Sequence, residues 1–258
     1  MKGLLADLQI ETDKRKIVVT VKNVRFFTML IFSEKFNPTV LAIGAHPDDI
    51  ELGAGGFICR LVENCKAIVH FAVMTYGVQQ RYEGEKYKTD KRSQEAIKAG
   101  KILLNTPKES IMNHFHFAGY EDCKLHTLDH ELIRYIEGLI VSLKPDIILT
   151  HAPNDLHADH RNVHHATLSA TRDFHGTILF YYAPSTEPDS FRPSFFVKLN
   201  EQEFDKKTLS LAEHVSQRDK EFMTSRTVER ISEAWAAFHR LKENTKLEAF
   251  ELHKAFWK

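Results

Sequence analysis

Thr39-Val40-Leu41-Ala42-Ile43-Gly44-Ala45-His46-Pro47-Asp48-Asp49 is the stretch that decides how this chain is read. Residues 39–45 form a continuous apolar run, which suits a strand buried on both faces of a parallel sheet. An imidazole and two carboxylates, His46, Asp48 and Asp49, follow at the strand exit. About 110 residues later, His157-Ala158-Asp159-His160 follows a second apolar run, Ile147 to Thr150. Together the two motifs supply three good divalent-metal ligands, with acid/base groups left over. That is the inventory of a catalytic zinc site, where three protein ligands leave a position open for water.

Working outward, strand-like and helix-like segments alternate. Residues 53–63 read as a glycine-rich turn entering a helix, Ala67 to Thr75 as a strand, and Lys91 to Leu104 as a helix. Phe115 to Phe117 reads as a short strand. A helical period runs from Asp129 to Leu143 and breaks at Lys144-Pro145-Asp146. Beyond the third buried strand come a helix at 160–172, strands at 177–182 and 194–198, and helices at 206–221 and 228–237. This alternation predicts an α/β three-layer sandwich with a mainly parallel sheet. In such sheets the ligand site lies beyond the carboxyl ends of the strands. Both metal-type motifs sit just after strands, so they are expected to converge on one edge of the sheet.

Residues 1–37 fit this scheme less well. Ile17 to Val21 and Phe26 to Phe32 are strand-like and read as an N-terminal extension, either an edge hairpin or an oligomer contact. Met29 is an alternative start for the functional protein.

Composition excludes several classes. The net charge is zero and the isoelectric point near 7.3, so nothing global points to nucleic acid or an anionic membrane. No apolar run reaches the roughly 18 residues of a membrane span, and no signal-peptide stretch is expected at the N-terminus. Cys59, Cys65 and Cys123 have neither metal-knuckle spacing nor an even number, and read as reduced thiols of a cytoplasmic protein. Gly53-Ala54-Gly55-Gly56 lacks the spacing of a dinucleotide loop and reads as close packing or a helix entry.

His46 and Asp49 are three apart, and in a tight turn both can face one cation while Asp48 points past it toward a water. Alone, Pro47-Asp48-Asp49 also fits a helix-capping turn. His157 and His160 allow one ring to ligate and the other to face substrate, with Asp159 fixing a tautomer. A solvated polar loop with incidental histidines is the alternative, since His151, His164 and His165 lie nearby.

These residues resemble the PIG-L/LmbE family of zinc-dependent N-acetylglucosaminyl deacetylases. The likeness lies in Ala45-His46-Pro47-Asp48-Asp49-Ile50-Glu51-Leu52-Gly53 with Gly55-Gly56, and in Asn154-Asp155-Leu156-His157-Ala158-Asp159-His160-Arg161. Arg92 and Glu95 add to it, as do the later segments 181–185, 195–199 and 211–217. The resemblance implies one deacetylase-like domain over 38–258 with a Rossmann-like sheet, and a metal held by His46, Asp49 and His160. It implies Asp48 as general base. His157 would stabilise the oxyanion or protonate the leaving amine, Asp159 would support that histidine, and Arg92 would contact substrate. The implied metal is Zn2+, with Fe2+, Co2+ or Mn2+ compatible with the same donors. The implied partner is an N-acetylated amino-sugar small molecule, and the family habit implies a homo-oligomer.

An amidase acting on another amide, such as a thiol conjugate or an antibiotic precursor, shares this chemistry. A non-catalytic metal-binding protein of the same fold is a different class, against which Asp48 counts, because metal binding alone does not need it. Substrate choice is expected from loops near 76–91, 119–127 and 183–193, with Tyr82, Tyr87, Tyr120 and Phe191 as stacking candidates.

Overall fold

The computed structural model describes residues 8–13, 16–21, 37–77, 89–106 and 110–255. Strands β1 (Leu8–Asp13) and β2 (Lys16–Val21) pair antiparallel as a two-stranded sheet of their own. The expected strand over Phe26 to Phe32 lies outside the described residues.

The main sheet has seven strands. In chain order its elements are β3 (Thr39–Gly44), α1 (Asp49–Cys65), β4 (Ile68–Thr75), α2 (Thr89–Leu104), β5 (Phe115–Tyr120), α3 (Asp129–Leu143) and β6 (Ile147–His151). Then follow α4 (Ala158–Ala170), β7 (Thr177–Tyr181), β8 (Phe195–Leu199), α5 (Glu201–Ala212), α6 (Ser225–Phe238) and β9 (Lys246–Lys254). The spatial order is β5-β4-β3-β6-β7-β9-β8. The first five strands of that order are parallel, and β9 runs antiparallel between β7 and β8. The chain therefore leaves β3 toward β4 on one side and returns to β6 on the other. The crevice at the carboxyl ends of β3 and β6 is the topological switch point, where ligand sites form in open α/β sheets.

Both faces of β3 are covered, which explains its unbroken apolar run. Val40 and Ala42 join the core that holds Ile50 and Phe57 of α1, whereas Leu41 and Ile43 join the core that holds Leu132 and Ile136 of α3. This alternation is the two-residue period of a strand with helices on each side.

The glycine-rich segment lies inside α1 and close-packs it. A Cβ at Gly53 would collide with the Tyr181 ring, and one at Gly56 with Leu199. In the same stretch the Glu248 carboxylate accepts from the Gly56 and Phe57 N–H groups, at 2.9 and 2.7 Å. Lys207 Nζ donates to Glu248 at 2.6 Å and to the Leu52 carbonyl at 2.7 Å. A buried ion pair thus ties α1 to α5 and β9, with its polar groups satisfied as burial demands.

The C-terminal part departs from the sequence expectation in three places, the first being that the helix expected over 206–221 ends at Ala212 and gives way to short turns at Val215–Gln217 and Glu221–Met223. α5 starts at Glu201, ahead of the expected 206, because Asn200 and Glu203 form a reciprocal capping box with both bonds at 2.8 Å. β9 was not expected from the sequence, since Lys246, Glu248 and Glu251 interrupt its apolar pattern. Its buried Glu248 is made tolerable by Lys207 and the α1 N–H groups, partners distant in sequence. No helix among the described residues is long and apolar enough to cross a membrane.

Candidate metal centre

The turn between β3 and α1 is set by its own atoms. The His46 N–H donates to Asp49 Oδ2 at 2.7 Å, which curls the chain so that α1 begins immediately at Asp49. Asp48 takes φ 135°, a region L-residues rarely adopt. It is held there by Arg92, whose Nη2 donates to Asp48 Oδ2 at 2.9 Å and to the Pro47 carbonyl at 2.8 Å. Arg92 Nη1 donates to the Gly77 carbonyl at 2.5 Å. The guanidinium is buried on protein partners. Through these bonds Arg92 fixes the Asp48 carboxylate at the β3 exit.

The second motif enters from β6. His157 is the N-cap of α4, its Nδ1 accepting from the Asp159 N–H at 3.2 Å. That bond places the proton of neutral His157 on Nε2. Asp159 thus serves His157 through its backbone. Its carboxylate accepts from the Cys123 N–H at 2.7 Å and lies 3.4 Å from His46 Nε2.

His46, Asp49 and His160, the set that the resemblance implies, come together. His46 Nδ1 lies 3.2 Å from His160 Nε2 and 3.4 Å from Asp49 Oδ2, and His160 Nε2 lies 3.3 Å from Asp49 Oδ1. An ion about 2.0–2.1 Å from each donor in tetrahedral geometry needs donors about 3.3 Å apart. The outer nitrogens are already committed, His46 Nε2 to Asp122 at 3.0 Å and His160 Nδ1 to Asp155 at 3.1 Å. Ser185 Oγ also lies 3.2 Å from His160 Nδ1. These partners leave the lone pairs of His46 Nδ1 and His160 Nε2 facing each other. Two lone pairs that close repel unless a cation lies between them, so the donor set fits a divalent metal. Carboxylate partners on the far nitrogens are the usual way a protein orients such ligands.

The neighbouring carboxylates favour positive charge on both rings, which must shed that proton for either nitrogen to ligate a metal. Burial lowers the basicity of His46, but Asp49, Asp122 and Asp159 overcome it and hold the imidazole well above its ordinary value. Burial likewise opposes His160, yet Asp49 and Asp155 raise it to about 9. Asp49 is held well below the carboxylate range, because His160, His151 and His46 outweigh its burial. Burial raises Asp48, with Arg92 limiting the rise. His157 is lowered by burial and by His46 and His160.

Asp122, Asp155 and His151 were not singled out as site residues from the sequence. Asp155 lies within the second motif, and its position two residues before His157 is the available signal. Asp122 has no sequence signal, since it arrives from the loop between β5 and α3. His151 stacks on His160, with centroids 4.0 Å apart, but its Nε2 accepts the Ala45 N–H at 3.0 Å, so that lone pair is spent. Burial lowers His151 to about 4. Of the stacking candidates, Tyr82 and Tyr87 lie outside the described residues. Tyr120 packs on Tyr135, and buried Phe191 packs on Tyr182 and Trp235.

Known proteins are similar to this chain in sequence and in fold. The family model described as "PIG-L: GlcNAc-PI de-N-acetylase" matches residues 41–171. The Escherichia coli (strain K12) protein named "Uncharacterized deacetylase YaiS" is 35% identical over 199 residues, covering 72% of this chain and 96% of that one. The 4-carboxy-2-hydroxymuconate hydratase GalB of Pseudomonas putida KT2440 superposes with a TM-score of 0.67 at 16% identity, over 86% of this chain and 98% of that one. The N,N'-diacetylchitobiose deacetylase of Pyrococcus horikoshii does so with a TM-score of 0.61 at 17% identity, over 83% of each chain. At these identities the two structures speak for the fold alone, and one fold carries both a hydratase and a deacetylase. With its matched motifs converging on one metal-fitting centre, the chain belongs to the PIG-L family.

Proposed function

We propose that this protein is a metal-dependent deacetylase that removes an N-acetyl group from an N-acetylglucosamine-containing small molecule. One observation carries the reading: Asp48, a buried carboxylate held by Arg92, stands beside the triangle of His46, Asp49 and His160 and is not needed to complete it. The deacetylase name of the 35%-identical relative supports the reaction class, and the family description supports the amino-sugar substrate.

A divalent ion in this site, zinc by its donor set, supplies a water of lowered pKa and a Lewis-acidic pole for the amide oxygen. Fe2+, Co2+ and Mn2+ suit the same donors. Asp48 takes the proton from the attacking water; its burial raises its basicity toward the range useful to a general base. The Nε2–H of His157 donates to the oxyanion as it develops, or to the departing nitrogen. The amide C–N bond breaks, the nitrogen gains a proton, and acetate and a free amine are released. Asp122 and Asp155 hold the ligand rings in the tautomers this arrangement requires.

The test is acetate release from a panel of N-acetylglucosamine derivatives by chelator-stripped and zinc-reloaded protein. Release that disappears on stripping and returns with zinc is expected. Absence of release from folded, metal-loaded protein across the panel would overturn the amino-sugar assignment and favour another amide.

A further inference from the structure

Next to the Asp48–Arg92 pair lies a buried polar layer that the proposed reaction does not use. α5 packs against both α1 and α2. The residues that follow it touch both helices again. His214 Nε2 lies 3.7 Å from Glu51 Oε1 of α1. Ser216 donates to the Glu95 carboxylate of α2, through its N–H at 3.1 Å and its Oγ at 2.6 Å. Glu51 follows Asp48 by three residues and Glu95 follows Arg92 by three, and residues so spaced on a helix are neighbours on one face. The Asp48–Arg92 bond therefore joins α1 to α2 one turn away from the place where residues 214–216 join them again. His214 is 1% exposed, yet neither of its ring nitrogens has a hydrogen-bond partner among the described residues. Buried polar atoms without a partner are few in native proteins, and each needs a reason. The groups that face this ring are charged: Glu51 and Asp48 from α1 and Arg92 from α2. Burial lowers its basicity, but Glu51 and then Asp48 outweigh burial against the opposition of Arg92, so the imidazole is held above its ordinary value. Packing alone needs none of this, since phenylalanine fills a similar volume.

We propose that His214 is a positioning residue for Asp48: with Glu51 it steadies the first turn of α1 from the α5 side, while Arg92 holds the Asp48 carboxylate from α2. The two Ser216 bonds to Glu95 set where the ring sits, because they tie its segment to the helix that carries Arg92. The imidazole and the guanidinium thus act on one carboxylate from two separate elements. That narrows the orientations open to Asp48 beside the triangle of His46, Asp49 and His160. The effect on turnover rests on the reading of Asp48 as general base. The link between His214 and Asp48 in the folded chain does not.

The experiment is a double-variant cycle on the full chain: wild type, His214→Phe, Asp48→Asn and the two together. His214→Phe keeps the bulk of the ring and removes both nitrogens. It should lower kcat about tenfold, with KM and metal content at the wild-type level. In the Asp48→Asn background the same change should alter the residual rate less than about twofold, because a residue that acts through Asp48 then has nothing left to position. A purely structural role would lower both rates by the same factor. Denaturant unfolding of the chelator-stripped proteins gives a second readout that needs no substrate. There the loss in the double variant should fall short of the product of the single losses, in the unfolding equilibrium constant, by at least about threefold. Ser216→Ala repeats both comparisons should His214→Phe fail to fold, with a fall in kcat of about threefold. An unchanged kcat, equal factors in the two backgrounds, or unfolding losses that multiply to within about threefold would overturn the proposal. Coupled unfolding losses in a protein that releases no acetate from any substrate would leave the link between His214 and Asp48 standing and remove the deacetylase reading instead.

Discussion

Two histidine groups stand on the same sheet with nearly the same spacing and opposite character. His46 Nδ1 and His160 Nε2 lie 3.2 Å apart at the carboxyl ends of β3 and β6. His70 Nδ1 and His116 Nε2 lie 3.1 Å apart where β4 meets the edge strand β5, with the His114 ring stacked on His70. His70 is five residues before the end of β4, roughly 16 Å from the carboxyl edge. Burial works against the charged form in both groups. At the first, Asp49 and its carboxylate neighbours overcome it, and both imidazoles rise. At the second, burial lowers His70 to about 4, and His116 and His114 push the same way. His116 is lowered too, by burial and by His114. The contrast teaches that imidazole spacing alone does not make a cation centre. The carboxylates do, by supplying charge and fixing which nitrogen carries the lone pair.

The largest expected effect sharpens this contrast at the reacting end. Asp48→Asn should lower kcat by about 10²–10⁴ while metal content stays at the wild-type level, because a general base is lost without a ligand. Steady-state kinetics paired with metal analysis checks it. Turnover within tenfold of the wild type would take Asp48 out of the reaction. His70→Asn, at the other group, should leave kcat unchanged.

A smaller effect tests the orienting carboxylates. Asp155→Asn removes the anionic acceptor of the His160 Nδ1–H, and metal affinity should weaken about 10–100-fold. Competition against a chromogenic chelator reads this directly. Unaltered affinity would mean that the ring is held by Ser185 and packing alone.

The smallest effect belongs to the carboxylate-free group and appears only in acid. His70 moves from 6.5 to about 4 on folding, so between those values the unfolded chain binds more protons than the folded one. Stability from this group is therefore complete above pH 6.5 and is lost as pH falls toward 4. The double variant His70→Asn, His116→Asn should lose less denaturant resistance between pH 7 and pH 5 than the wild type does. Equal losses in the two proteins would show that these histidines do not drive the acid limb.

The alternation of apolar runs with helical periods was enough to read the parallel part of the sheet, and the two motifs were enough to read a histidine and carboxylate metal centre, with the choice between His157 and His160 made by the resemblance. Both readings rest on local physics. A strand buried on two faces must be apolar throughout, and ligands three residues apart on a strand-exit turn can share a cation. β9 escaped because its Glu248 is neutralised by Lys207 and by N–H groups of α1, none adjacent in sequence. The start of α5 was legible in Asn200 and Glu203, a capping pair ahead of an apolar period.

Residue type and spacing were sufficient to expect His46 and Asp49 on one cation with one of His157 and His160, and the family resemblance narrowed that choice to His160. The bond of Arg92 to Asp48, the arrival of Asp122 and the approach of the Asp159 carboxylate to Cys123 and His46 were decided by tertiary structure. Each depends on where a long side chain or a loop ends after segments 30 to 120 residues apart have packed; the Arg92 bond to Asp48 spans 44 residues and the Asp122 bond to His46 spans 76. Local spacing carries no information about such meetings. Packing of α2 and of the loop after β5 against the β3 exit settles them.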